Sequence, residues 1–247
     1  MDNKDFYNNL AASYDEMIPF NAALERKRKS LKGILKSGMK TTADLGCGTG
    51  VDSIALSQLG LEVTGFDLSA EMLKKAEANS VRSAVKISFH NKSVDKIPSS
   101  FHGKFDLVLS LGNTFANIPK HVFDKSIEKC FNLLGKNGML VIQILNYEKI
   151  LKMKNRILNI NEGDDEFYVR FFDFEENRLF FNILAFNKYH TEGNITITTE
   201  LFPYNKNDFE QSLSKAGFSK KEFSSILAGD KFDPDVSRDL FVKAFKR

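Results

Sequence analysis

Between Thr41 and Leu145 the chain alternates short apolar runs with segments whose apolar residues recur at helical spacing, and that alternation permits few folds. Thr41–Leu45, Glu62–Asp67, Val85–His90, Phe105–Leu111 and Gly138–Leu145 read as buried strands. Asp52–Gln58, Ala70–Asn79 and His121–Leu134 between them read as helices. Strands joined through helices run parallel, and a parallel sheet needs helices on both faces. Right-handed crossovers then give an α/β, doubly wound sheet. Two later strand-like runs, Glu222–Leu227 and Asp239–Phe245, follow a helix at Asn207–Ala216 and bring the expected mostly parallel sheet to seven strands.

Two segments depart from this rhythm. Helices expected at Phe6–Ile18 and Leu24–Lys36, broken by Pro19, precede the sheet and suit a cap over one of its ends. After Leu145, EFYVRFFDF, NRLFFNILAFNKY and NITITTELF read as strands joined by turns, an antiparallel β insertion after the fifth strand. The expected division is a helical cap over 1–40, a Rossmann-like domain over 41–146 and 203–247, and an inserted β region over 147–202. Tyr168, Phe171, Phe172, Phe174, Phe180, Phe181 and Phe186 crowd into that insertion. Alternating aromatics in strands most often make core, with one or two rings left to line a pocket.

The formal charge is only +3, from 35 basic and 32 acidic residues, and the basic residues form no dominant stripe, which disfavours a nucleic-acid partner. Arg26-Lys27-Arg28-Lys29 reads as a solvated helix face. The two cysteines, Cys47 and Cys130, have no partners at metal or redox spacing, and the four histidines are scattered, so no metal is expected. The polar start MDNKDFYNNL lacks a signal-peptide pattern and no apolar run reaches membrane-spanning length; a soluble, cytoplasmic protein is the expectation.

The chemistry-bearing stretch is ADLGCGTGVDS, which closes the first strand. Gly46, Gly48 and Gly50 permit unusual backbone angles and let a ligand touch the main chain at the carboxyl end of the sheet. Asp67 ends the second strand about twenty residues further on, where an acid accepts hydrogen bonds from ribose hydroxyls. A nucleoside is implied. Its glycines are spaced G-x-G-x-G rather than G-x-G-x-x-G, and Asp44 precedes them. A negative group there suits a cationic, phosphate-free ligand with an amino group better than a pyrophosphate. S-adenosylmethionine is such a ligand, whereas a nicotinamide dinucleotide fits this spacing poorly.

With GCGTGVDSIALSQLGLEVTGFDLSAEMLKKA, FDLVLSLGNTFANIP, GKNGMLVIQILNY and the closing ILAGDKFDPDVSRDLFVKAFKR, the chain resembles the class I S-adenosylmethionine-dependent methyltransferases, and more closely their glycine N-methyltransferase-like branch. The resemblance implies that Gly46, Cys47 and Gly48 line the methionine and ribose of S-adenosylmethionine, that Asp44 holds its amino group directly or through water, and that Asp67 with Leu68 flanks the ribose. It places Asn91 at the adenine-reading position, Lys92 where relatives carry an aromatic, and Ser93 beside them. Leu111 and Asn113 match residues at the end of the fourth strand, between cofactor and acceptor, and Asn117, in place of a family histidine, is expected with Leu111 on the cofactor side. Tyr14, Asn113 and Asn146 are the expected positioning residues of the reaction. By the same resemblance, a monomer or homodimer is expected.

A methyl group moves from a sulfonium by in-line displacement, so the protein supplies alignment and a desolvated neutral nucleophile. His90 lies near a strand end and reads as structural. In the glycine N-methyltransferases the fifth strand ends in His-Arg-Asn-Tyr; here it reads Ile144-Leu145-Asn146-Tyr147. A carboxylate against Leu145 would cost several kcal/mol. The expected acceptor is therefore a small molecule other than glycine; the resemblance implies an amine nitrogen, with an oxygen acceptor, a sugar amine or a non-catalytic cofactor-binding role as the alternatives.

Overall fold

The computed structural model describes residues 3–11, 14–190 and 194–247. Three helices lead the chain: α1 (Asn3–Leu10), the single turn α2 (Tyr14–Met17) and α3 (Phe20–Lys32). Then come β1 (Thr41–Leu45), α4 (Val51–Gln58), β2 (Glu62–Asp67), α5 (Ala70–Arg82), β3 (Ser88–Asn91), β4 (Phe105–Ser110), α6 (Lys120–Leu133) and β5 (Leu134–Leu145). A short helix α7 (Tyr147–Met153) introduces β6 (Ile157–Glu162), β7 (Glu166–Phe174), β8 (Leu179–Asn187) and β9 (Ile195–Leu201). The chain closes with α8 (Lys206–Ala216), β10 (Lys220–Ser224) and β11 (Asp239–Phe245).

Seven strands form one sheet in the order β10-β11-β5-β4-β1-β2-β3. All neighbouring pairs run parallel except those of β11, which lies antiparallel to β5 and β10. The order reverses at β1, whose neighbours are β2 and β4. Loops leaving the carboxyl ends of β1 and β4 therefore diverge and open a crevice. Apolar side chains cover both faces: Leu45, Phe66, Phe115, Leu140 and Val242 on one, Leu56, Leu107, Leu109 and Val141 on the other.

The insertion is a separate antiparallel sheet, β6-β7-β8-β9. Its strand β6 and the helix α7 are absent from the sequence reading, because ILNINE has weak alternation and α7 is set off by a side-chain cap, Asn146 accepting from the Lys149 amide at 3.3 Å. Of the insertion's aromatics, Tyr168 and Phe172 are fully buried. Tyr168 joins Ile183 and Ile197 in a cluster with Phe6, Leu10 and Met17, so this sheet is packing for the N-terminal helices. Burying a side chain of that size contributes about 2 to 3 kcal/mol.

Several expected boundaries move for local reasons. The reading of Phe6–Ile18 as one helix is corrected, since α1 ends at Leu10 and α3 starts directly after Pro19, whose fixed φ of −54° sits at the helix entrance. The third strand begins at Ser88 rather than Val85, because α5 runs on to Arg82 and the chain then turns through Ala84 at φ +53°. β10 ends at Ser224, where Ser225 donates to the Asp230 carbonyl at 2.8 Å and closes a turn. No helix among the described residues is long and apolar enough to cross a membrane.

Candidate active site

A cavity of about 550 Å³ opens where β1, β2 and β4 end, roofed by the N-terminal helices. Its floor is the glycine loop. Gly46 and Cys47 both donate to the Phe66 carbonyl, at 2.7 and 3.1 Å, which folds the loop back over β2. Gly46 and Gly48 adopt φ of +73° and +54°, which L side chains rarely reach. A methyl group added at Gly46 would lie 2.4 Å from Thr114, whereas one added at Gly48 would meet nothing within 4 Å and would project into open cavity.

Asp67 is fixed by this loop. Gly48 donates to its Oδ2 and Ser69 to its Oδ1, both at 2.8 Å. Asp67 lines the cavity, and a carboxylate so held keeps acceptor capacity for two vicinal hydroxyls. Burial raises its carboxyl pKa, and the backbone amides of Ser69, Gly48 and Leu68 act in the opposite direction.

Asp44 does not line the cavity. Only 1 % exposed, it accepts from Ser53 Oγ at 2.6 Å, and burial, then the neighbouring Asp52, push its pKa up to about 7. Asp52, in the first turn of α4, is the carboxylate that reaches the wall. Its Oδ2 pairs with Lys27 Nζ at 2.9 Å, and its Oδ1 is buried without a partner. Lys27 thus leaves the basic run that reads as a solvated face, while Arg26, Arg28 and Lys29 remain exposed. Asp52 was visible in the GCGTGVDS stretch, one helical step behind the glycines. Lys27 had no sequence signal, because only the tertiary fold carries α3 across the mouth of the cavity.

Towards the β3 side the wall is made by Leu68, Met72, Lys92, Ser93, Val94 and Asp95. Asn91 is not part of it. Its amide donates to the carbonyls of Asp67 at 3.0 Å and Leu68 at 2.9 Å and braces the loop after β2. Asp95, a residue the sequence reading passed over, lines the cavity and accepts from Ser93 Oγ at 2.8 Å. Cys47 lines it as a thiol whose pKa burial raises well above its ordinary value, consistent with packing.

The β4 side is built from Leu111, Gly112, Thr114 and Asn117, with Tyr7 and Tyr14 arriving from α1 and α2. Asn117 donates to Tyr7 Oη at 3.2 Å and to the Asn113 carbonyl at 3.3 Å, and its Oδ1 is buried without a partner. Of the three residues expected to position the reaction, only Tyr14 reaches the wall. Asn113, at φ +72°, turns away: its side chain accepts from the Leu145 amide at 3.0 Å and bonds the buried Tyr147 hydroxyl, tying the end of β4 to the end of β5. Asn146 is 2 % exposed and donates to the carbonyls of Pro234 and Ser237 at 2.8 and 2.9 Å, besides capping α7. Both hold the framework. His90 stacks on Phe66 at 5.4 Å and contacts Ser88 Oγ, outside the cavity wall. No group of three or more His, Cys, Asp or Glu side chains among the described residues is placed to hold a metal ion.

The cavity's polar groups fit a cationic, phosphate-free nucleoside. A fixed carboxylate offers two acceptors, the orphaned oxygens of Asp52 and Asn117 ask for donors, and Gly48 leaves room for close contact with the backbone. Comparison with known proteins agrees. Residues 43–138 match the family described as methyltransferase domain. Glycine N-methyltransferase of Homo sapiens is 35 % identical over 136 residues, 49 % of this chain and 46 % of that protein. A ubiquinone biosynthesis O-methyltransferase of Xanthomonas campestris is 35 % identical over 105 residues, 42 % of each chain. The chain thus spans less than half the length of these curated relatives. The CcbJ methyltransferase of Streptomyces caelestis superposes with a TM-score of 0.80 at 17 % identity, covering 99 % of this chain and 98 % of its own, and so shares the fold. Sheet order and glycine loop agree with that match: residues 43–138 carry a methyltransferase domain, and the chain has the fold of the solved methyltransferase.

Proposed function

We propose that the protein transfers a methyl group from S-adenosylmethionine to the nitrogen of a small-molecule amine. The observation that carries the choice of nitrogen is Asn117 Oδ1, a buried acceptor with no partner on the cavity wall beside Leu111 and Thr114. An unpaired buried oxygen costs about 1 to 3 kcal/mol, which an N–H donor of the acceptor would recover. A neutral amine keeps an N–H for that bond while its lone pair attacks. A hydroxyl would have to surrender its only proton to a base, and the carboxylates on the wall are already engaged, Asp52 by Lys27, Asp67 by the Gly48 and Ser69 amides and Asp95 by Ser93.

When bound, S-adenosylmethionine supplies an electrophilic methyl group on a sulfonium. Asp67 would hold the ribose, Asp52 the amino group, and Leu68, Lys92, Ser93, Val94 and Asp95 would surround the adenine. Asn117 and Tyr14 would orient the acceptor, and the helices α1 to α3 would keep water out. Leu145 has its amide held by Asn113 and its side chain packed into the core, so it offers no clamp for the carboxylate of glycine.

The test is a methyl-release screen across amines, amino acids, sugar amines and phenols, beside calorimetric binding of S-adenosylhomocysteine. Turnover of amines but not phenols is expected, with Asp67→Ala weakening S-adenosylhomocysteine by about 1 to 3 kcal/mol. Binding of S-adenosylhomocysteine with turnover of phenols alone would reassign the acceptor atom. Strong turnover of free glycine would remove the inference from Leu145.

A further inference from the structure

The insertion sheet has two faces, and only one of them belongs to the core. Its inner side chains, among them Tyr168, Phe172, Ile183 and Ile197, pack into clusters shared with the main sheet and the N-terminal helices. The strand period turns the intervening residues to the opposite side. There the ladder lines up Ile160, Val169 and Leu184 in one row and Ile157 with Phe171 in the next, while Phe167 stacks against Phe186 at 5.5 Å beyond them. Phe180 closes the other end, opposite Asp173. None of these outer apolar residues is part of a buried cluster among the described residues. Ile157 and Ile160 are 61 % and 59 % exposed, and the others are half-buried.

The two central rows of this face hold no charged side chain. Their polar groups are satisfied within the face: Thr198 donates to Asn182 Oδ1 at 2.6 Å, and Asn182 to Asp173 Oδ2 at 2.9 Å. Charges gather at the two ends, and they are paired. Glu162 meets Lys188 at 2.7 Å, Glu200 meets Arg178 at 3.0 Å, and Asp173 meets Arg156. These cations lie over Phe167, Phe180 and Phe171, at 5.3, 4.5 and 6.0 Å from the ring centroids. An aromatic, uncharged middle inside a charged rim is the composition of a protein interface. Four strands about 4.8 Å apart and four rows about 7 Å apart give the face roughly 500 Å² in plan. Soluble proteins rarely leave a contiguous apolar patch beyond a few hundred Å² without a partner.

We propose that the outer face of the insertion is a homodimer interface, at which two copies of this chain lay their sheets face to face. The occupant follows from shape and charge. A second copy presents a sheet of the same twist, and two such sheets pack about 10 Å apart with their side chains interdigitated. Each end of the face carries carboxylate and cation alike, so a two-fold axis brings opposite charges together whichever way the strands cross. A rim of three carboxylates balanced by three cations suits neither an anionic membrane surface nor nucleic acid, which attract faces of net positive charge. With the side chains of the rim added to the apolar middle, the area approaches the roughly 800 Å² that each partner gives to a stable interface.

The experiment follows sedimentation velocity and light scattering of the full chain over about a hundredfold range of concentration, for wild type, Ile160→Lys and Thr196→Lys, with Val81→Lys as the control. Ile160 and Thr196 stand at the two edges of one central row and are exposed, so a lysine there is costly only once a second copy covers it. Val81, 80 % exposed on α5, lies outside the insertion. Wild type should be a dimer whose melting temperature rises with concentration. Both face variants should raise the dimer dissociation constant at least about a hundredfold, because the two-fold axis counts each lysine twice, and should keep the circular dichroism of wild type. Val81→Lys should pair as wild type does. Where Ile160→Lys fails to fold, Thr196→Lys decides. A wild type that stays monomeric, or a dimer that either folded face variant leaves intact, would overturn the proposal. So would a monomer that sediments with neutral phosphatidylcholine vesicles, which would give the face to a membrane.

Discussion

Gly46 and Gly48 stand two residues apart with similar backbone angles, yet an added methyl group meets opposite surroundings. At Gly46 it would press on Thr114 at 2.4 Å; at Gly48 it would enter the cavity. Both substitutions force an L residue into the left-handed region, at about 1 to 2 kcal/mol. Gly46→Ala adds a steric clash of about 1 to 3 kcal/mol and should show chiefly as a lowered melting temperature. Gly48→Ala should melt within a few degrees of wild type and bind S-adenosylhomocysteine at least tenfold more weakly. Equal loss of affinity and stability in the two variants would show that Gly48 is structural. The glycines, Asp67 and their spacing were legible in the sequence because backbone freedom and chain distance are local properties. That Asp44 hides behind Ser53 while Asp52 faces the cavity was not, since it depends on which way β1 and α4 present their side chains.

Among the elements, α1 decides how closed the cavity is. Phe6 is 0 % exposed and meets Phe181 of β8 at 6.2 Å and Tyr7 at 5.1 Å, so the helix that brings Tyr7 to the wall is held by the insertion. Phe6→Ala removes about 3 to 5 kcal/mol of packing at a short helix. Amide exchange in α1 should accelerate and S-adenosylhomocysteine should dissociate faster, while β1, β4 and β5 keep their protection. Unchanged dissociation, read by stopped flow, would show that α1 does not retain the ligand. The same element explains an error of reading: Phe6–Ile18 has helical spacing throughout, but the apolar residues of α1 and α2 serve contacts with α5 and the insertion that no periodicity reveals.

Across the whole molecule, three acids from separate elements gather at one end of the cavity, Asp52 from α4 and Asp67 from β2 on its wall and Asp44 from β1 buried behind them. Folding raises the Asp44 pKa from 3.8 to about 7. The folded state therefore holds more protons than the unfolded chain between these values, and this group's contribution to stability is lost as pH rises through that window. A bound cation favours the ionised form and drives the pKa down again. Binding of S-adenosylmethionine at pH 6.5 should release protons, detectable as a dependence of calorimetric enthalpy on buffer ionisation, and Asp44→Asn should reduce that release. Proton uptake in the wild type would contradict the assignment of the acidic end to a cationic ligand.

The alternation of apolar runs and helical segments determined the parallel sheet, and the glycine spacing with Asp44 and Asp67 pointed to a phosphate-free nucleoside, with Asp52 rather than Asp44 on the wall, because periodicity and turn chemistry act over a few residues and are written in order along the chain. Tertiary structure decided the acceptor side. It turned Asn113 and Asn146 inward as braces and brought Lys27 and Tyr7 over the cavity. Those placements depend on how two sheets and three short helices pack, and contacts between residues from 25 to 110 positions apart leave no local pattern to read.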